Sequence, residues 1–260
     1  MNIVVTIKQV PDTTDVRLDP ATGVLQRDRA KGMTNPEDKY ALEMAIGLKE
    51  KLGGKVSVLS LGPETAKDSL KEALAMGADE AYLVTDAAAK GSDAVTTAQV
   101  LAAAIDQIGP CDLILTGRRS IDGWTGAVAP MLAEALKLPL VSAVRKLDVN
   151  ASQFVAEQDW DASVRVVESS LPAVASVTRE AKAPRLATAM GIMKAAKKPM
   201  TTWSLADLGL SAASVGLAGS TTKVVRVSAP ERKKRVQVFE GASAGTISEL
   251  NQKLAGRGLL

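Results

Sequence analysis

The chain has 260 residues, with 32 Lys and Arg against 29 Asp and Glu, a formal net charge of +3 and 46% hydrophobic residues. That is enough apolar material for a full core and argues against global disorder, while so mild and interspersed a charge gives no argument for nucleic acid as a ligand. With no histidine and one cysteine, Cys111, the chain has no Ser-His-Asp or Cys-His site, no His-ligated metal and no internal disulfide.

Aromatic residues make up only 3% of the chain, so the core must come from Ala, Val, Leu, Ile and Met, a composition that suits helices packed on a parallel sheet. Residues 3–7 read as a first buried strand and not as a signal peptide. Asn35-Pro36 starts a helix to about Leu52, stopped by Gly53-Gly54. Residues 56–61 form a second strand. Gly62-Pro63-Glu64 turns into a helix to about Met76, and residues 80–84 make a third strand. Asp93 caps a helix to about Gln107, residues 111–116 make a fourth strand, and a loop over 117–126 leads into a helix ending near Leu136. The alternation predicts an α/β fold, a doubly wound, mostly parallel sheet of Rossmann-like, adenine-nucleotide-binding type.

After Pro139 the strand-like runs 141–147, 154–157, 164–169 and 173–178 follow closely, with turns at Asn150-Ala151-Ser152 and 159–161, and predict a hairpin-containing continuation of the sheet. Pro184-Arg185 opens a helical stretch to about Lys198. From Pro199 the core-forming signals thin: 212–219 is rich in Gly and Ser, and 229–235 is basic and interrupted by Pro. The expected division is a nucleotide-binding domain over 1–198 and an extended arm over 199–260, tipped by a short helix with capping-box spacing at Thr246 and Glu249 and a stop near Gly256. Such an arm docks on a partner, packs back on its own domain or stays disordered. No stretch approaches the ~20 apolar residues that span a bilayer, so the expectation is a cytoplasmic protein without membrane insertion.

Ligands of open parallel sheets bind beyond the carboxyl ends of the strands. Three loops leave such ends: one after Thr6-Ile7-Lys8 running through Gln9 to Thr13, one at Leu61-Gly62-Pro63-Glu64, and the richest from Thr116 to Val128. The third joins Arg118, Arg119, Ser120, Asp122, Gly123, Trp124, Thr125, Gly126 and Ala127 just ahead of a helix. Its glycines admit close backbone approach, and free amides at the helix start attract phosphate. The competing reading is a Gly-rich turn whose arginines are solvated. Asn35 and Pro36 serve equally as a helix cap with Pro at the first position, or as a helix start set against a nucleotide. Trp124 either stacks on a ligand ring or packs on its helix. Trp160 and Trp203 suit surface or interface anchors, and Cys111 a small core position. The run Lys194-Ala195-Ala196-Lys197-Lys198 is either a patch for an acidic partner or a solvated helix end.

At these residues the sequence resembles the electron transfer flavoprotein β-subunit family, in order from Met1 to about Leu210. The matching motifs are Val-Val-Thr-Ile-Lys-Gln-Val-Pro-Asp-Thr at the start, Met33-Thr34-Asn35-Pro36, Leu61-Gly62-Pro63, 73–79, Thr116-Gly117-Arg118 with Ile121-Asp122-Gly123 and Thr125-Gly126, Leu171-Pro172-Ala173-Val174, 184–188 and 192–195. The resemblance implies a heterodimer with a larger α-subunit that holds FAD at the subunit junction, and an adenine nucleotide in this chain, AMP or a second FAD. It places that nucleotide against Thr6, Asn35, Pro36, Leu61, Asp122, Gly123, Trp124, Thr125, Gly126, Ala127 and Val128. It makes Ala187, Thr188, Ala189, Met190, Gly191, Ile192, Met193 and Lys194 a loop that docks acyl-CoA or other flavin dehydrogenases, and wraps the arm around the α-subunit. The implied function is electron transfer from dehydrogenases to a quinone oxidoreductase type of acceptor, with no hydrolytic or acid/base site. The alternatives are an electron-bifurcating subunit whose FAD is reduced by NADH, and a stand-alone adenine-nucleotide-binding protein. Trp124-Thr125-Gly126-Ala127 departs from many bifurcating members, whereas Val10-Pro11-Asp12-Thr13 is similar to the bifurcating and bacterial branch.

Overall fold

The computed structural model describes residues 1–12, 17–18, 25–26, 31–150, 152–225 and 236–260, with backbone alone at 17–18 and 25–26. Thr13, Ala151 and the basic run 229–235 lie outside the described residues. The chain divides into two compact units, Met1–Arg226 and Val227–Leu260.

The first unit begins with β1 (Asn2–Thr6), β2 (Gln9–Pro11), the short pair β3 (Arg17–Leu18) and β4 (Leu25–Gln26), and β5 (Gly32–Thr34), which pairs antiparallel with β2. There follow α1 (Pro36–Leu52), β6 (Lys55–Leu61), α2 (Lys67–Met76), β7 (Glu80–Val84), α3 (Ala94–Ile108), β8 (Leu113–Gly117) and α4 (Val128–Leu136). Next are β9 (Leu140–Asn150), β10 (Gln153–Trp160), β11 (Ser163–Ser170), β12 (Ala173–Val177), α5 (Ala189–Ala195), β13 (Met200–Trp203) and α6 (Gly216–Gly219). Nine of these strands form one sheet in the order β11-β10-β9-β12-β8-β1-β6-β7-β13. From β9 to β13 every neighbouring pair is parallel, and only the β9-β10-β11 meander is antiparallel.

The strands alternate their side chains between two cores. Ile3, Val5, Val56, Val58, Leu113 and Leu115 meet α1 and α2 on one face, and Val4, Leu59, Ile114 and Val174 meet α3 and α4 on the other. Both faces are covered, as the continuous apolar runs of β1, β6 and β8 require. The chain winds from β1 through β6 to β7, then returns to place β8 on the opposite side of β1. The topological switch point therefore lies between the carboxyl ends of β1 and β8.

Three expected boundaries shift. The domain does not end at Lys198: Met200-Thr201-Thr202-Trp203 pairs parallel with β7 as an edge strand, Leu205 and Val215 are buried, and the first compact unit runs to Arg226. The helical stretch expected over 184–198 contracts to α5 because Thr188 accepts from the Gly191 amide and sets the cap there, leaving 184–187 non-helical. In the second unit, α7 (Ala244–Ala255) is capped by Ser243, which accepts from Thr246 N–H, three residues before the expected cap. Lys253 reaches Gln237 Oε1 at 2.7 Å within that unit. Among the described residues no helix is long and apolar enough to cross a membrane.

Candidate functional site

The site grows from the way α1 meets the end of β8. A Cβ at Gly117 would lie 2.3 Å from Asp38 Oδ1 and 2.8 Å from the Asp38 nitrogen, so only glycine lets the first turn of α1 sit there. Asp38 is buried. Its Oδ2 accepts the Lys8 amide at 2.7 Å and its Oδ1 accepts Asn35 Nδ2 at 2.8 Å. Burial pushes the Asp38 carboxyl up to about 7 against the pull of these hydrogen bonds and the Lys8 charge.

Asn35 and Pro36 stand at the start of α1 as the sequence predicts, but the Asn35 side chain does not cap the helix. Fully buried, it ties the β8 loop down instead: Nδ2 donates to Arg119 O at 3.0 Å and Oδ1 accepts from Ile121 N–H at 3.2 Å. Beside it the buried Glu37 accepts the Arg119 amide at 3.0 Å, with the Arg119 and Arg179 Nε atoms 3.6 and 3.3 Å from its other oxygen. The Lys8 ammonium contacts both oxygens of Asp122 at 2.8 Å. Burial opposes the Asp122 charge, but the Lys8 hydrogen bond and charge hold its carboxyl below the usual range. Gln9 and Thr65 exchange two hydrogen bonds, joining the β1 loop to the turn after β6. Thr6, Asn35, Pro36 and Asp122 thus converge at the switch point, with Leu61 at the end of the neighbouring strand.

From Asp122 onward the loop is strained and open. Trp124 adopts φ 58 and Gly126 φ 63; for a bulky aromatic that conformation is an outlier of the kind that gathers at functional sites. The Trp124 ring is 53% exposed and lies 3.8 Å under the Arg119 guanidinium. It therefore stacks on an arginine and not on its helix. Thr125 Oγ1 accepts the Ala127 amide at 3.4 Å, yet no side chain caps α4 at Ala127, so the Val128 and Ala129 amides have no intrahelical acceptor; Pro130 carries no N–H, and the Met131 amide already donates to Ala127 O. Gly123 and Gly126 leave no atom closer than 3.4 Å to an added Cβ. Basic side chains, glycine backbone and an uncapped helix start are a donor set that fits an anionic phosphate.

The 187–194 segment forms a second surface. Ala187 joins the core, Thr188 caps α5, and Gly191 packs so tightly on α2 that a Cβ would meet Ala75 O at 2.3 Å. Ala189, Met190, Ile192, Met193 and Lys194 are exposed. A groove of about 530 Å³ runs between α2 and α5, lined by Leu74, Ala75, Ile192, Ala196 and Met200. The root is latched to α1. Arg185 contacts Glu43 at 2.7 Å and Glu50 at 2.6 Å, and Lys182 contacts Glu43 at 2.7 Å. Burial of Glu43 opposes ionisation, but the Arg185 and Lys182 hydrogen bonds hold its carboxyl down to about 2.

The basic run divides: Lys194 and Lys197 are exposed, whereas Lys198 turns inward to donate to the Leu74 and Ala78 carbonyls at the end of α2. Trp203 is a sheet-edge residue stacked 4.8 Å from Tyr82, and Trp160 lies half-exposed under Arg165. Cys111 is partly buried just ahead of β8, and burial pushes its thiol up to about 11. Sequence reasoning passed over Glu37, Asp38 and Arg179. The acids read as ordinary dipole partners at a helix start; two carboxylates ahead of a loop that has its own arginines were the available signal.

The electron transfer flavoprotein domain model matches residues 22–208. An "Electron transfer flavoprotein subunit beta" of Thermoanaerobacterium thermosaccharolyticum is 41% identical over 99% of each chain. "Caffeyl-CoA reductase-Etf complex subunit CarD" of Acetobacterium woodii is 38% identical over 95% of each chain. "Protein FixA" of Bradyrhizobium diazoefficiens is 38% identical over 93% of this chain and 87% of its own. Fold, switch-point loop and near full-length identity agree: the chain belongs to the electron transfer flavoprotein β-subunit family.

Proposed function

We propose that this chain pairs with a larger, flavin-bearing α-type subunit as a carrier of electrons between a dehydrogenase and a downstream acceptor, and that it holds an adenine nucleotide at its switch point. The observation that carries the reading is the Trp124–Val128 turn, held at its root by buried Asn35 and Glu37 and opening onto the uncapped start of α4. Phosphate oxygens would be met by the α4 amides and by Lys8 and the loop arginines, while Thr6, Leu61 and Pro36 supply the apolar and backbone rim. FAD at the subunit junction supplies the one- and two-electron chemistry. This chain contributes positioning, water exclusion and docking surface, and no proton transfer is asked of it. The exposed methionines of 187–194 suit adaptable contact with acyl-CoA or other flavin dehydrogenases, and the acceptor is of quinone oxidoreductase type. The 227–260 unit serves as the arm that engages the α-subunit.

The test is to co-express both subunits, denature the purified complex and separate the released nucleotides. One FAD and one AMP per heterodimer would fit the simple carrier. Two FAD and no AMP would favour the bifurcating reading, which the Val10-Pro11-Asp12-Thr13 opening supports. FAD alone in a stable heterodimer would remove the switch-point nucleotide from the proposal. Asp122→Ala, which frees Lys8 and loosens the loop, is expected to lower nucleotide retention at least tenfold, the effect of losing about 1.4 kcal/mol; undiminished nucleotide content would refute the site.

A further inference from the structure

One helix serves both surfaces. The first turn of α1 carries Glu37, and lower turns carry Glu43 and Glu50. Glu37 has a side chain only 3% exposed, and it is shared. One oxygen takes the Arg119 amide of the switch-point loop at 3.0 Å, and the other faces Arg119 Nε at 3.6 Å and Arg179 Nε at 3.3 Å. Arg179 follows the end of β12 and begins the segment that Lys182 and Arg185 pin to Glu43 and Glu50 before it becomes α5. A carboxylate has two oxygens and a limited set of hydrogen-bonding directions, so a shift of Arg119 redistributes what is left for Arg179. Arg119 is also the residue stacked on Trp124, in the part of the loop where a nucleotide would press. Its buried Nε, 3.6 Å from Glu37, makes no hydrogen bond among the described residues, so re-aiming the Arg119 side chain breaks none at that atom.

We infer that Glu37 is a positioning residue which couples occupancy of the switch-point loop to the setting of the 179–195 docking segment. The inference rests on the nucleotide-binding reading above. Binding at the loop draws Arg119 toward the phosphates, leaves Glu37 to Arg179, and fixes the root of the docking segment. By reciprocity, a docked dehydrogenase tightens nucleotide binding by the same factor.

The experiment is amide hydrogen exchange on the nucleotide-depleted heterodimer before and after addition of AMP, with FAD in a parallel arm. In the native complex, exchange slows over 118–128 and, with it, over 179–195, by about fivefold or more if the coupling is of ordinary size. Arg179→Met is expected to keep the response at 118–128 and abolish it at 179–195. Glu43→Gln is expected to raise basal exchange over 182–195 without changing the affinity for AMP, which separates a structural latch from the coupling residue. A native complex that responds at 118–128 but not at 179–195 would overturn the coupling, as would an Arg179→Met complex that responds like the native one. No response at either segment to either nucleotide would remove the nucleotide reading itself, and the coupling with it.

Discussion

Asp38 shows how one carboxylate can support a site at a cost to the fold. It accepts from the Lys8 amide and the Asn35 side chain at the β1–β8 crevice, yet full burial raises its carboxyl from 3.8 to about 7. The native state therefore keeps a proton that the unfolded chain releases above the ordinary carboxylate range, and stability falls as pH rises through that window. Between pH 5 and 7 the loss is roughly 2–3 kcal/mol. Urea unfolding of the heterodimer at both pH values is expected to show that decline, and Asp38→Asn to flatten it while lowering stability at pH 5, since an amide cannot accept the Lys8 N–H and the Asn35 amide together. Parallel pH dependence in the two proteins would sink the assignment. Glu43 acts in the opposite sense: with its carboxyl held down to about 2, its stabilisation is present above the unfolded value of 4.5 and is lost as pH falls from there toward 2.

At the scale of the element, α1 is both a core helix and a frame. Its Ala41, Leu42, Ala45 and Ile46 are buried in the first core, while Glu43 and Glu50 hold the 182–185 strap. Arg185→Met leaves the buried Glu43 with Lys182 alone and is expected to cost about 3 kcal/mol, visible as a lower unfolding midpoint and as faster proteolysis between 180 and 195; an unchanged cleavage rate would show that the strap is held by α5 packing instead. The helix itself was legible in the residues, from Asn35-Pro36 to Gly53, because Pro at the first turn and glycine past the last are local signals. So were the four long parallel strands, from continuous apolar runs. The edge strand β13 was not: only four residues long, with two exposed threonines, it has no apolar run and exists because β7 offers it a ladder. The cap at Thr188 was hidden by a preceding proline that imitates a helix start. Of the site, Gly126 could be read in sequence because its backbone conformation favours glycine, and Asn35 and Asp122 because they stand in motifs that resemble the family's. Glu37 and Arg179 could not, since a contact across 142 positions of chain leaves no local mark.

For the whole molecule, the division at Arg226 and Val227 sets where the arm can be cut. The segment before it belongs to the domain: the Asp93 carboxylate caps α3 and also accepts from the Thr221 and Thr222 amides at 2.8 and 2.9 Å. Removal of residues 227–260 is therefore expected to leave a folded domain with native circular dichroism that no longer co-purifies with the α-type subunit. A truncated chain that still pairs would reassign the interface to the domain. The winding order also sets a schedule for synthesis. β1 is made before its neighbours β6 and β8 and lies inside the sheet between them, yet β8, which closes its second edge, follows more than a hundred residues later. Until Arg119 is made, the Glu37 carboxylate at the head of α1 lacks the backbone amide that it accepts. The nascent chain carries β1 with one edge open until β8 is made, and the crevice closes only when Gly117 arrives to seat against Asp38.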